Sequence, residues 1–156
     1  MRVIISPKTS PNSFIQQSGV TVDPDLPISF AFGLVCQDRG WKIGSKRWRK
    51  AWNACMNAEY NRLIGSRLNS LETWRELCAK VGITEVFPSI TKCKKALAKV
   101  NVNIVDLLDC WDTPNLPKQF KSRHALSKYT RDNHKFFGRA IAKQDKALKA
   151  LLRQLV

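Results

Sequence analysis

Acidic residues are scarce in this chain. It carries 12 against 27 lysines and arginines, for a net charge of +15 over 156 residues. The few acids are scattered, which leaves catalysis by paired carboxylates without support. Histidine is scarcer still. His124 and His134 are the only two, both in a basic region. No HExxH, no GxSxG and no Walker-type glycine loop occurs, so no metalloprotease, hydrolase or nucleotide-triphosphatase pattern is present. The chain reads as a non-enzyme, with no cofactor and no metal expected.

Long apolar runs are also missing. None approaches the ~20 residues of a membrane span. The start, MRVIISPKTSPNSF, has only a three-residue apolar run, Val3 to Ile5, ended by Ser6 and Pro7, and so lacks the apolar region of a secretory signal. The five cysteines, Cys36, Cys55, Cys78, Cys93 and Cys110, are odd in number and form no CxxC pair. Each falls on or beside an apolar helix face, which favours free thiols acting as small hydrophobes over zinc or disulfides. That pattern suits a reducing compartment, so a nuclear or otherwise intracellular location is expected.

The residues that are plentiful are apolar and basic. Five tryptophans and seven phenylalanines supply large core pieces, and the length fits one domain. Residues 1–26 hold Pro7, Pro11 and Pro24 without periodicity and read as a mobile amino-terminal arm, with Phe14 and Ile15 able to dock on the body. Ser6-Pro7-Lys8 has the form of a proline-directed phosphorylation site. Residues 27–156 read as a single basic helical domain.

Helical spacing predicts Ile28–Arg39, with Pro27 in its first turn and Gly40 after its end. A second helix is predicted over Lys46–Ile64, between Ser45 as cap and Gly65 as stop. Its apolar stripe is Trp48, Trp52, Cys55, Met56, Tyr60 and Leu63, at spacings of three and four. Further helices are predicted over Leu71–Val81 after Ser70, Ile90–Val100 after Ser89, Ile104–Trp111 after Asn103, and from Ser122 to Asn133. A last one runs from Arg139 to the end. Only Arg2–Ser6 hints at strand alternation. The expected fold is all-α, a compact bundle of about six to seven short helices.

The charge is uneven. Residues 1–40 are neutral, 41–65 carry +5, 66–111 carry +2 and 112–156 carry +8. The second helix therefore opens on KRWRK, where the backbone dipole is already positive and disfavours cations. Lys42, Lys46, Arg47, Arg49 and Lys50 crowd this end. Arg49, Asn53, Asn57 and Asn61 follow at intervals of four and stack on the face opposite the apolar stripe. Asparagine costs roughly half a kcal/mol per helical site relative to alanine, so a merely solvated face has cheaper options. A helix start pointed at phosphates turns the cation penalty into binding. Arg and Asn are also the side chains that pair with guanine and adenine edges in the major groove. The alternatives are another anionic surface, or a solvated face with the cations paired to acids elsewhere in the fold.

The last helix repeats the theme with Arg139, Lys143, Lys146, Lys149 and Arg153 at spacings of three or four, preceded by Lys121, Arg123, Lys128, Arg131 and Lys135. A helix-turn-helix over Leu71–Trp111 fits poorly, because its second helix carries Asp106 and Asp109 and no cation. The expected partner is nucleic acid, DNA ahead of RNA. The alternative is an adaptor or effector that docks an acidic protein. KRWRK also has the composition of a nuclear import signal, which a folded helix would partly hide.

Three segments, GWKIGSKRWRKAWNACMNAEYNRLIG, SITKCKKALAKVNVNIVDLLD and FKSRHALSKYT, resemble a group of uncharacterised proteins from filamentous fungi. The resemblance covers about residues 28–156. It implies a fungal, intracellular setting, and it implies no activity and no functional residues.

Overall fold

The helix that opens on KRWRK is the longest in the computed structural model, which describes residues 11–138. The helix expected from Arg139, with Lys143, Lys146, Lys149 and Arg153, lies outside the described residues, as do Ser6-Pro7-Lys8 and Arg2–Ser6. Among the described residues the architecture is all-α. Seven helices run in the order α1 (Ser13–Ser18), α2 (Ile28–Arg39), α3 (Lys46–Leu63), α4 (Leu71–Lys80), α5 (Ile90–Leu97), α6 (Ile104–Cys110) and α7 (Arg123–Asp132). A single antiparallel bridge, Val102 to Gln119, is the one β pairing among them.

α3 is central because its stripe is continuous. Trp48, Trp52, Cys55, Met56, Tyr60 and Leu63 are all buried. Phe32 of α2 meets Trp48 and Trp52 edge-on at 5.8 and 5.3 Å, and the two indoles stack at 5.0 Å. α6 lies in the same core, with Ile104, Val105, Leu107 and Leu108 buried. Four of the five cysteines are buried and all are free. Burial pushes the Cys36 thiol up to about 11 and, with the neighbouring Cys93, the Cys78 thiol up to about 12, so both stay protonated at neutral pH.

Local chemistry accounts for most helix ends. Ser45, Ser89, Asn103 and Ser122 accept from the backbone N–H three residues on. Gly40 and Gly82 take φ of 69° and 87°, the left-handed conformation in which glycine carries no Cβ penalty. Three helix-end details differ from the sequence reading. Pro27 is the cap residue of α2, not part of its first turn. That helix start is satisfied from afar: Asp109 on α6 accepts from the Ser29 N–H at 2.9 Å and the Ser29 hydroxyl at 2.5 Å. Ser70 makes no side-chain cap bond. Gly65 does not stop α3 by a left-handed turn. The chain passes through Ile64 into a 3₁₀ turn at Gly65–Arg67. A Cβ on Gly65 would lie 2.7 Å from Asn61 Oδ1 and 3.1 Å from the Tyr60 ring, so its role is steric.

Within the expected arm over 1–26, residues 12–18 dock on the body, as the sequence allows for Phe14 and Ile15. Asn12 is buried and caps α1, accepting from Phe14 N at 2.9 Å and Ile15 N at 3.2 Å. Its amide donates to the Cys55 carbonyl at 3.2 Å and to Glu59 Oε1 at 3.3 Å. Glu59 is itself buried and paired with Arg62 at 2.8 Å. Phe14 packs on Phe32 with ring centroids 5.8 Å apart. A lone polar side chain thus supplies what periodicity does not show, a cap and a tether together.

Replacing Asn12 with alanine removes that cap and leaves the Cys55 carbonyl and Glu59 short of a donor. The expected loss is about 1–2 kcal/mol in urea unfolding. A loose arm would leave the midpoint unchanged.

Candidate nucleic-acid interface

Ser45 starts α3, and the buried Trp48 and Trp52 orient it, so the side chains of its first turns divide cleanly. Lys42, Lys46, Arg47, Arg49, Lys50 and Asn53 are all exposed. Ion pairs among the described residues include Arg39–Asp38, Arg62–Glu59, Arg67–Glu76, Lys128–Asp132 and Lys135–Asp106. None involves the five cations at the start of α3. The alternative in which internal carboxylates neutralise that cluster is therefore not realised among the described acids.

The asparagine ladder is less complete than its spacing suggests. Asn53 and Asn61 are exposed, but Asn57 is half-buried and its Oδ1 is enclosed without a hydrogen-bond partner. Asn57 is therefore drawn out of the open face. The reading face of α3 reduces to Arg49 and Asn53, with Asn61 a further two turns along.

The exposed cations flank two concavities. Arg47 and Lys50 border a shallow hollow with Phe14, Trp41, Ala51 and Ala54. Arg49 and Asn53 line a deeper pocket of about 360 Å³ on the other side, completed by Gly44, Trp48, Trp52, His134 and Phe136. The far wall is the segment that follows α7. Trp52 Nε1–H donates to the Phe136 carbonyl at 2.6 Å, a contact between residues 84 positions apart. His134 meets Trp48 edge-on at 6.2 Å. It holds φ 54°, a left-handed turn after the helix end where glycine is the usual residue. Its N–H donates to Arg131 O at 3.3 Å, and the next N–H donates to Thr130 O at 3.0 Å.

Lys135 anchors this wall from behind. Its ammonium donates to Asp106 Oδ1 at 2.6 Å and to the Tyr129 hydroxyl at 3.1 Å. Its carbonyl accepts from Asn103 Nδ2 at 3.1 Å. Burial works against the charge on Lys135, but the bonds to Asp106 and Tyr129 and the Asp106 charge outweigh it and raise the pKa. Asp109 shifts the opposite way from an ordinary ion-paired carboxylate: burial raises its pKa despite the two bonds from Ser29. Lys135 is therefore a structural cation. Of the basic residues before Arg139, Lys121, Arg123 and Arg131 are exposed and outside any ion pair among the described residues, whereas Lys128 and Lys135 are paired.

The helix-turn-helix reading fails on burial. α6, its second helix, sits in the core with Asp106 turned to Lys135 and Asp109 to Ser29, so it has no face for a groove. Among the described residues no three His, Cys, Asp or Glu side chains converge as metal ligands, and no helix is long and apolar enough to cross a membrane. The sequence reading places Trp48 and Trp52 in the core alone and gives His134 and Phe136 no binding role. The one signal for them was aromatic residues inside a basic run, HKFF. The chain matches no protein-family model, no curated protein and no solved structure.

Lys135→Met leaves the Asp106 carboxylate enclosed and unpaired. About 2–3 kcal/mol of stability should be lost, below the 3–5 of a fully buried pair because a quarter of the Lys135 side chain is exposed. A folded pKa raised above the ordinary 10.5 means the pair stabilises fully below that pH and fades as pH climbs through the folded value. The gap between the native protein and the variant, followed by urea unfolding, should be constant from neutrality to about pH 10 and narrow beyond.

Proposed function

We propose that this protein is a non-enzymatic nucleic-acid-binding module, DNA ahead of RNA, that grips phosphates with the start of α3. The observation that carries this reading is the set of five exposed cations, Lys42, Lys46, Arg47, Arg49 and Lys50, at a helix amino terminus with no ion pair to any described acid. Like charges gathered beside the positive end of a helix dipole repel one another, and a polyanion relieves that repulsion. Counter-ion release from the phosphates then drives association. Arg49 and Asn53 present the side-chain types that pair with guanine and adenine edges. With Asn57 drawn in, that readout is short, so backbone contact dominates and sequence preference is weak. Lys121, Arg123 and Arg131 extend the basic surface, and Arg139, Lys143, Lys146, Lys149 and Arg153 are proposed to add a second clamp. A nuclear or other intracellular setting goes with this reading.

The test is fluorescence anisotropy with duplex DNA, single-stranded DNA and RNA at about 50 and 200 mM salt, a range over which six to ten phosphate contacts cost ~10³–10⁵ in affinity. Replacing Arg49 and Lys50 together with alanine should lower the logarithmic salt slope by about two without altering the unfolding midpoint. An unchanged slope would remove this helix from the interface.

One further surface favours the second reading, an adaptor for an acidic protein. Ile83, Val86, Phe87, Pro88 and Val100 floor a groove of about 570 Å³ whose edge carries Lys92, Lys95 and Lys99, with Glu85 the one acid. Val86 is 75 % exposed. A helix with apolar anchors and flanking carboxylates fits that pattern of charge and shape. Purification separates the two readings. A nucleic-acid binder leaves a bacterial lysate with a high 260/280 nm absorbance ratio; a selective adaptor is clean after a modest salt wash.

A further inference from the structure

We infer that the pocket between α3 and residues 134–137 holds one unpaired nucleobase of a bound strand, stacked on Phe136 and met at its edge by Asn53. The inference rests on the nucleic-acid reading above and adds the form of the ligand, a single strand rather than a closed duplex.

The lining has the composition that a base requires. Trp48, Trp52 and Phe136 make the apolar walls, and Arg49, Asn53 and His134 supply the polar groups. A volume of about 360 Å³ is at the small end for ligand pockets, room for one planar group rather than a base pair with its backbones. Trp48 and Trp52 are only 7 % and 5 % exposed and stack on each other, so they offer edges and no open face. Phe136 is different. Phe136 is 48 % exposed, while the next residue, Phe137, is buried at 6 %. Its backbone is held by the Trp52 indole, and the Lys135–Asp106 pair fixes the preceding residue. The result is a half-exposed aromatic residue on an anchored backbone, the kind of side chain single-strand binders use for stacking.

Charge and polarity complete the site. Arg49 lines the pocket itself, and Lys46 stands exposed one turn earlier on α3, where a phosphate beside an inserted base would run. The Asn53 amide offers both a donor and an acceptor to a base edge. His134 holds its left-handed φ at the pocket wall, where a glycine would make the same turn without a Cβ penalty. A base within a duplex is covered on both faces by its neighbours and cannot enter. An unpaired base can.

The decisive experiment uses the full chain and three probes: a DNA strand of about 12 nucleotides, the same strand in RNA, and the matching blunt duplex, a length within the 4–16 nucleotides typical of one single-strand site. Phe136→Ala keeps the backbone carbonyl that Trp52 needs. It should weaken the single strands about 5- to 150-fold, the range for one stacked base, and leave the duplex within about twofold. Phe136→Leu, which keeps apolar bulk without a stacking ring, should behave like the alanine variant, and an unchanged unfolding midpoint shows that neither loss is misfolding. Arg47→Ala, on the opposite side of α3, should weaken strands and duplex alike. If Phe136→Ala leaves strand affinity intact, or lowers strand and duplex equally, the base pocket is wrong while backbone binding stands. If a free mononucleotide binds as tightly as the strand, the pocket is a nucleotide site and this inference also fails. If the unsubstituted protein binds none of the probes, the underlying nucleic-acid reading falls with it.

Discussion

Trp52 brings three parts of the chain together. Its ring packs against Phe32 of α2 and Trp48 of α3, and its indole N–H reaches the carbonyl of Phe136 beyond α7. A buried indole needs a partner for its one donor, and in this protein the partner is distant in sequence. Satisfying it pins the 134–137 segment across the amino-terminal half of α3. The pocket exists because that segment is held there, and the exposed Phe136 ring is a consequence of where its own carbonyl must sit.

The distribution of acids explains the charged face. Three of the carboxylates are engaged inside the fold. Glu59 holds Arg62 and Asn12, Asp106 holds Lys135, and Asp109 closes the start of α2. Each of these satisfies a structural group that would otherwise be enclosed without a partner, which costs more than a surface ion pair returns. None of the ion pairs among the described residues reaches the five cations at the start of α3. The enclosed carboxylates are thus all engaged by the fold, while the cations at the start of α3 are left to solvent. Surface cations of this kind are well solvated, so leaving them unpaired costs the folded state little.

Stability and binding meet in the same backbone. Lys135 and Asn103 secure the segment from the core side, while His134 and Phe136 on either side of Lys135 face the pocket. The positive φ at His134 is the one irregularity, and its ring contact with Trp48 offsets part of it.

What the sequence alone determined was local. Spacings of three and four placed the stripe of α3. Ser45, Ser89, Asn103 and Ser122 marked helix starts, and Gly40 and Gly82 marked ends, because a cap or a left-handed glycine acts within a few residues of the bond it makes. The concentration of cations around α3 was likewise visible, since charge needs no tertiary context to be counted. What only the tertiary structure decided lay between distant residues. Asn12 reached α3 from a stretch with no periodicity, Asp109 capped a helix 80 positions away in sequence, and Asn57 left the face its spacing assigned to it. The pocket joined Arg49 and Asn53 to His134 and Phe136. Periodicity records which side of a helix is apolar, but not which segment covers it. Burial and the need to satisfy every enclosed donor settled that second question.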